Sequence, residues 1–401
     1  MLDRNIVLGT VALVAVATTL LSLVSILWTL RKRRHSAEAW NFTPPVTILK
    51  PLKGCDEGLE ENLAGFFTLD YPSYQLIFGV ADRDDPAIAV VERLIERFPD
   101  RDARLVVGNP VFGLNPKVEN LAAMDRYRKH DYLLISDSNV RVRPTYLRET
   151  IVYLSDPSVG LVSNLFVGVG ENQLGAILEN LQLNGFISGG MALASTLGIT
   201  CVVGKSMLMP ARALAAIGGF ASVRNLLAED QAIGIKVRKA GYAVRLSRHV
   251  IENVNRDRGI RWFLNRHSRW YKIRRRMAAP AFLVEPTANL TATGLVWAFS
   301  GDSGIAWGGM AFLLGLGIAR DAIQTKILRG TFPKPRHLLF SPVKDLVLLA
   351  VWLDALVSNR IEWRGNRFLI GRFTRLRSSR ATRRVRRRVR KIRRVRKHHH
   401  E

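Results

Sequence analysis

Gln75-Leu76-Ile77-Phe78-Gly79-Val80-Ala81-Asp82 is an almost unbroken apolar run that ends in an acid, and Tyr132-Leu133-Leu134-Ile135-Ser136-Asp137 repeats the arrangement. Apolar runs of this length, without polar alternation, read as strands buried on both faces, as in a parallel sheet. Val46-Thr47-Ile48-Leu49 before them and Arg104-Leu105-Val106-Val107 between them supply two further strands. Amphipathic stretches at 57–69, 86–98 and 116–128 separate these runs, so strands alternate with helices. The pattern predicts an α/β fold whose mainly parallel sheet is covered by helices on both faces. In such sheets ligands bind beyond the carboxyl ends of the strands, where Asp82 and Asp137 fall.

Towards the N-terminus, residues 6–30 carry no charge. At about 1.5 Å per residue they are long enough to cross a hydrocarbon core of about 30 Å. Arg31-Lys32-Arg33-Arg34 follows at once, and Asp3 offsets Arg4 in front. With no small-residue cleavage site, the run reads as an anchor rather than a secretory signal. The positive-inside rule places its N-terminus outside and the remainder of the chain in the cytoplasm. Towards the C-terminus, 288–300 and 304–319 are apolar stretches joined by Gly301-Asp302-Ser303, which read as a membrane hairpin. Residues 346–357, preceded by Asp345 and broken by Asp354, suit an interfacial helix. The basic segment 320–337 is expected on the cytoplasmic side.

The net charge of +27 over 401 residues exceeds what solubility needs. It implies a polyanionic neighbour: a membrane surface, nucleic acid or nucleotides. No acid lies between Glu362 and Glu401, and valines and isoleucines interleave with the arginines of 372–397. A basic amphipathic helix on an anionic membrane surface fits that tail, at roughly 1 kcal/mol per charge. Nucleic acid is the rival partner, and no interleaved aromatic or zinc pattern supports it. Two cysteines, Cys55 and Cys201, are too few for a disulfide framework and favour a reducing compartment.

The polar motifs each admit two readings. Asp82 can accept hydrogen bonds from a base or ribose edge, with Asp85-Pro86 capping the next helix; a turn alone explains the same residues. Asp137-Ser138-Asn139 offers oxygen donors two residues apart, suited to Mg²⁺ held by carboxylate and substrate phosphates, and is also common in turns. Lys117, in Asn115-Pro116-Lys117, opens a helix whose N-terminus favours anions; it is either a phosphate ligand or an exposed lysine. Asp230, beside Glu229, is either a base for an attacking hydroxyl or an acid complementing the dipole of the helix that follows. Arg266 and Arg269, in Arg266-His267-Ser268-Arg269-Trp270, share a helix face whose guanidinium forks suit a diphosphate, with a solvated charged face as the alternative.

Taken in order, these motifs resemble the ceramide glucosyltransferase family, which is similar to glycosyltransferase family 21. The resemblance runs through Lys50-Pro51-Leu52-Lys53-Gly54, Leu69-Asp70-Tyr71-Pro72, Asp82 to Pro86, Asn115-Pro116-Lys117, Asp137-Ser138, Cys201, Ala228-Glu229-Asp230 and Arg266-x-x-Arg269-Trp270. It implies a GT-A fold, a UDP-sugar donor, Mg²⁺ or Mn²⁺, and an inverting displacement on the cytoplasmic side of a membrane, the inner membrane if the protein is bacterial. By matching position, Asp82 holds the uridine part, while Lys50, Lys117, Asp137 and Glu229 line the donor site. Asp137 and Asn139 take the metal, and Asp230 is the base. Arg266, Arg269 and Trp270 serve the diphosphate and acceptor, and Cys201 lines the acceptor. The resemblance implies a membrane-lipid acceptor. The stretch 184–200, where acceptor contacts would fall, lacks the histidine of the eukaryotic enzymes, which widens the acceptor from ceramide to diacylglycerol in a bacterial setting, with a hopanoid alcohol or a growing polysaccharide as alternatives. A basic membrane-associated scaffold or nucleic-acid binder is the non-enzyme alternative. The expected organisation is an anchor (1–30), a basic linker (31–44), a catalytic domain (45–280), membrane and interfacial helices (281–360) and an arginine-rich cytoplasmic tail (361–401).

Overall fold

The computed structural model describes residues 4–31, 35–108, 113–300, 304–363 and 365–378. Strands β1 (Val46–Pro51), β2 (Tyr74–Val80), β3 (Ala103–Val107) and β4 (Tyr132–Ile135) form where the apolar runs predict them. They are joined by β5 (Val140–Arg141), β6 (Val159–Val169), β7 (Met207–Pro210) and β8 (Ala243–Val254) in one sheet, ordered β3-β2-β1-β4-β7-β6-β8-β5. The first four strands are mutually parallel, with Val46 opposite both Tyr74 and Tyr132. The run β4-β7-β6 is antiparallel, and β6 and β8 are again parallel.

Side chains alternate across the sheet into two cores, as the two-residue strand period requires. Ile48, Leu76, Phe78 and Leu134 pack on one face with Leu63, Phe66 and Phe67 of the helix Leu59–Phe67. Leu49, Ile77, Leu133 and Ile135 pack on the other with Val118, Leu121 and Met124. Each such side chain, fully buried, contributes about 1.5–3 kcal/mol. Helix α1 is Arg4–Leu30 and α2 is Leu59–Phe67. Next come α3 (Ala87–Arg97), α4 (Pro116–Asp125), α5 (Leu174–Gln182), α6 (Ser188–Thr196) and α7 (Glu229–Lys239). Last are α8 (Ile260–Met277), α9 (Leu290–Ser300), α10 (Gly304–Arg329) and α11 (Ser341–Val357).

Helices α1 and α10 are long and apolar enough to cross a membrane, and α9 is a shorter apolar helix beside them. Ala12 and Ala15 of α1 pack with Leu290 of α9 and Leu313 of α10. Helix α10 runs on through residues 320–329, into the basic segment that follows the second apolar stretch. Arg320 and Asp321 are buried and paired, Asp321 with Lys344 of α11 at 2.6 Å. Pairing opposite charges offsets part of the desolvation cost that would otherwise keep such residues at the surface.

The described start of the arginine-rich stretch, 372–378, is a short 3₁₀ turn and a strand rather than part of a longer helix. Strands β9 (Arg360–Trp363), β10 (Asn366–Ile370) and β11 (Leu376–Ser378) make a small antiparallel sheet. Ile361, Phe368, Ile370 and Leu376 bury Leu227 between them, and the Leu376 N–H donates to the Asn225 carbonyl at 2.7 Å. Residues 379–401, the rest of the arginine-rich tail, lie outside the described residues, as do Lys32, Arg33 and Arg34.

Candidate active site

The carboxyl ends of β1, β2 and β4, the start of α7 and one face of α8 enclose a cleft of about 1170 Å³. Asp82, Lys117, Asp137, Asn139, Glu229, Asp230, Arg266, Arg269 and Trp270 all line it. Thus residues far apart in sequence meet because strand ends and helix starts converge on one edge of the sheet. Lys50 and Cys201 are not in its lining.

Lys50 is a correction. It is fully buried beneath the cleft floor, where its ammonium lies 3.8 Å from the centre of the Phe66 ring. It donates to the Asp137 carbonyl at 2.6 Å and the Ser136 hydroxyl at 3.3 Å. The lysine braces the end of β4 rather than meeting a ligand, because β1 is buried on both faces and leaves its side chains nowhere else to go. Burial holds its pKa well below the usual lysine range.

Asp137 sits between two ammonium groups, Lys117 at 2.8 Å and Lys205 at 3.1 Å. Burial opposes its charge, but the two lysines win and hold its carboxyl well below the usual carboxylate range. Lys117 also meets Glu229 at 3.1 Å, and Glu229 accepts from the Asn115 amide at 3.0 Å. Asn115 in turn caps α4, accepting from the Lys117 and Val118 N–H groups. Glu229 is therefore committed to holding Lys117, and Lys117 to Asp137. Lys205 went unread in the sequence. Its signal was a lone cation in the uncharged stretch before β7, and burial lowers its pKa to about 8 despite Asp137.

Asp230 borders this cluster, and its own hydrogen bonds run to the backbone. Its carboxylate accepts from the Gly204 N–H at 2.7 Å and from the Gln231 N–H at 2.8 Å. Burial, helped by the neighbouring Glu229 charge, pushes its pKa up to about 6. A base of that pKa suits work near neutrality. Activity is expected to follow a bell with limbs near pH 6 and pH 8. Below the first Asp230 is protonated and cannot take a proton; above the second Lys205 loses its charge. A pH profile of kcat/KM, in wild type and in Lys205→Arg, checks this, the variant losing the alkaline limb.

Gly204 permits the approach of these groups. A Cβ there would stand 2.6 Å from the Lys117 ammonium and 3.2 Å from Asp230 Oδ2. Gly204→Ala is expected to lower kcat/KM by about 10²-fold, the cost of displacing aligned groups by an ångström. Thermal melting, little changed because a flexible side chain yields, distinguishes this from unfolding.

On the opposite wall, the Arg266 guanidinium lies between the Trp262 and Trp270 rings, 5.1 and 4.6 Å from their centres. Glu179 of α5 fixes it at 3.0 Å and holds His267 at 2.8 Å. Against burial, which pushes the Glu179 carboxyl up, Arg266 and His267 hold it down. Glu179 too went unread, since only the fold brings it to a motif many residues away. Cys201 is mostly buried outside the cleft, and burial raises its pKa to about 11.

A divalent ion finds a narrower donor set than expected. The Asn139 carbonyl oxygen accepts from Lys205 at 2.7 Å and its amide donates to the Val254 carbonyl at 3.3 Å, so its side chain is already engaged. Among the described residues no three His, Cys, Asp or Glu side chains cluster as metal ligands. Of the two residues expected to take the ion, Asp137 is the carboxylate, and Mg²⁺ or Mn²⁺ commonly take one or two carboxylates and complete their shell with water and substrate phosphates.

The sequence pattern of Glycosyl transferase family 21 matches residues 9–376. Ceramide glucosyltransferase 3 of Caenorhabditis elegans is 28% identical over 357 residues, 87% of this chain and 78% of that relative. Ceramide glucosyltransferase of Komagataella phaffii is 27% identical over 421 positions, 81% of this chain and 82% of the relative. Among solved structures, the mannosyltransferase PcManGT from Pyrobaculum calidifontis, in complex with GDP-Man and Mn2+, superimposes with a TM-score of 0.53 at 19% identity. That likeness spans 87% of this chain and 99% of the other, and shows the GT-A type of fold.

Proposed function

The chain belongs to glycosyl transferase family 21, and from that premise we propose that it moves a hexose, glucose in the simplest case, from a UDP-sugar to a membrane-lipid hydroxyl. The observation that carries this reading is Asp230, a carboxylate of raised pKa on the cleft wall, held by backbone N–H groups. The acceptor oxygen attacks the anomeric carbon, the bond from that carbon to the diphosphate breaks, and the hydroxyl proton passes to Asp230. Glu229 is tied to Lys117 and Asn115, leaving it poorly placed as a nucleophile. One base and one displacement support inversion.

The leaving diphosphate gathers negative charge, which Arg266, Arg269 and Lys205 are placed to meet. Asp82, exposed beyond β2, takes the uridine part. Asp137 is the residue that would hold Mg²⁺ or Mn²⁺, and the bound ion would supply positive charge to the donor phosphates. EDTA is expected to weaken UDP-glucose binding about tenfold, or about 1.4 kcal/mol, in calorimetry, with Mn²⁺ restoring it. Equal affinity with and without the ion would remove it from the account.

The acceptor reading rests on the family and on the apolar helices beside the catalytic sheet. We place the protein in a bacterial inner membrane with the cleft on the cytoplasmic side, ceramide or diacylglycerol being the acceptor. Mass spectrometry of lipids made by the purified protein with each UDP-sugar tests this. A new hexosyl-lipid supports it, and a polymeric product would replace it.

A further inference from the structure

Between Glu179 and Lys205 this strongly basic chain carries no charged residue. The stretch includes α6 and the turn after it. That turn is well defined: Gly198 has φ +70°, its N–H donates to the Ser195 carbonyl at 3.1 Å, and the Ile199 N–H donates to the Ala194 carbonyl at 2.8 Å. In this helix-ending arrangement the apolar residue after the glycine usually folds back onto the helix. Here Leu197 and Ile199 instead stand 64% and 59% exposed.

Their surroundings say what covers them. Ser22 of α1 accepts from Gln324 of α10 at 3.0 Å. A Cβ on Gly189 of α6 would touch both, at 3.1 and 3.0 Å, so three helices meet at one level. Ser22 lies eight residues before the end of α1, about 12 Å along it. On the reading that α1 crosses the bilayer, this level belongs to the leaflet at its basic end. From Gly189 to Leu197 is again about 12 Å of helix, and the chain then passes at once to Thr200 and Gly204 beside Asp230, so the turn lies on the catalytic side of that level.

The other end of the same segment holds the base. Gln231 ties Thr200 and Val202 by two hydrogen bonds of 2.7 Å, and Gly204 binds Asp230. We propose that Leu197-Gly198-Ile199 inserts into the cytoplasmic leaflet beside α1 and forms the rim over which a lipid hydroxyl reaches Asp230. Insertion rests on the exposed aliphatics and the packing of α6 on α1. The role as a rim rests on the acceptor reading above.

The test is photo-crosslinking of the full chain in phosphatidylcholine–phosphatidylglycerol vesicles, with p-benzoylphenylalanine in place of Leu197. Leu13, exposed on α1, is the lipid-facing control, and Glu92, exposed on α3, is the solvent control. Phospholipid adducts at 197 and 13 but not at 92 are expected. Adducts at 13 alone overturn insertion, and a protein–protein adduct at 197 overturns it in favour of a second copy. Separately, Leu197→Asp with Ile199→Asp is expected to lower transfer to vesicle-embedded lipid by about tenfold or more, since interfacial binding scales with buried apolar area. Transfer to a short-chain, water-dispersed acceptor and UDP-glucose binding should persist. An equal loss on both acceptors overturns the rim. Lipid adducts at 197 without lipid transfer by wild type would instead sink the acceptor reading and leave insertion standing.

Discussion

Asp230→Asn is expected to lower kcat by about 10²–10⁴-fold, the usual worth of a positioned general base. The substitution keeps size and shape, so UDP-glucose should still bind. One of the two backbone N–H groups now bonded to the carboxylate, from Gly204 and Gln231, would face an amide NH₂ instead of an acceptor. That mismatch costs about 1–3 kcal/mol of stability, far less than the loss in rate. The acid limb near pH 6 should vanish from the residual activity, because the group that produces it is gone. Stopped-time assays across pH, alongside a calorimetric donor titration, separate a missing base from a damaged binding site.

Asp137→Asn should cost both activity and stability. Its carboxylate neutralises Lys117 and Lys205, and Lys205 is almost wholly buried. Removing one partner of a buried ion cluster costs about 3–5 kcal/mol, because the remaining charge has no water to return to. Lys117 keeps Glu229, but Lys205 retains only the neutral Asn139 oxygen within hydrogen-bond distance among the described residues and should lose its proton below pH 8. Transfer is expected to fall by about 10²–10³-fold through lost electrostatic stabilisation at the diphosphate. The pH dependence supplies a sign. Asp137 is depressed in the folded state, so its contribution is present above the unfolded carboxylate pKa and is lost as pH falls through the lower, folded value. Denaturant melts of wild type should therefore weaken on acidification, and the variant should lose that part of the slope.

The first half of the sheet was legible because β1, β2 and β4 are doubly buried and so carry no polar alternation. Asp82 and Asp137 stood out for the same reason: each is the first acid after such a run. The second half was hidden. β8 alternates buried and half-buried residues and contains Arg245, Arg248, His249 and Glu252, so its sequence resembles a surface segment until β6 pairs with it. Lys205 and Glu179 are single charges in apolar stretches, and only the fold brings Asp137 and Arg266 to them. Lys50 failed in the opposite sense: a lysine at a strand end reads as a ligand, yet its side chain points into the core. Spacing alone points to Asn139, and spacing does not reveal that Lys205 and Val254 take its amide. The small C-terminal sheet was masked by arginine content, since its burial depends on alternate residues such as Phe368 and Ile370 meeting Leu227.

On the proposed reading, Asp230 takes the proton when a UDP-sugar glycosylates a membrane lipid. The direct measurement uses the full chain in lipid nanodiscs with ¹⁴C-labelled UDP-glucose, followed by extraction into organic solvent. Radiolabel accumulating in the lipid phase with wild type, and falling to background with Asp230→Asn, is the expected result. Label that stays in the aqueous phase with every UDP-sugar and lipid extract, or an Asp230→Asn protein as fast as wild type, would contradict it.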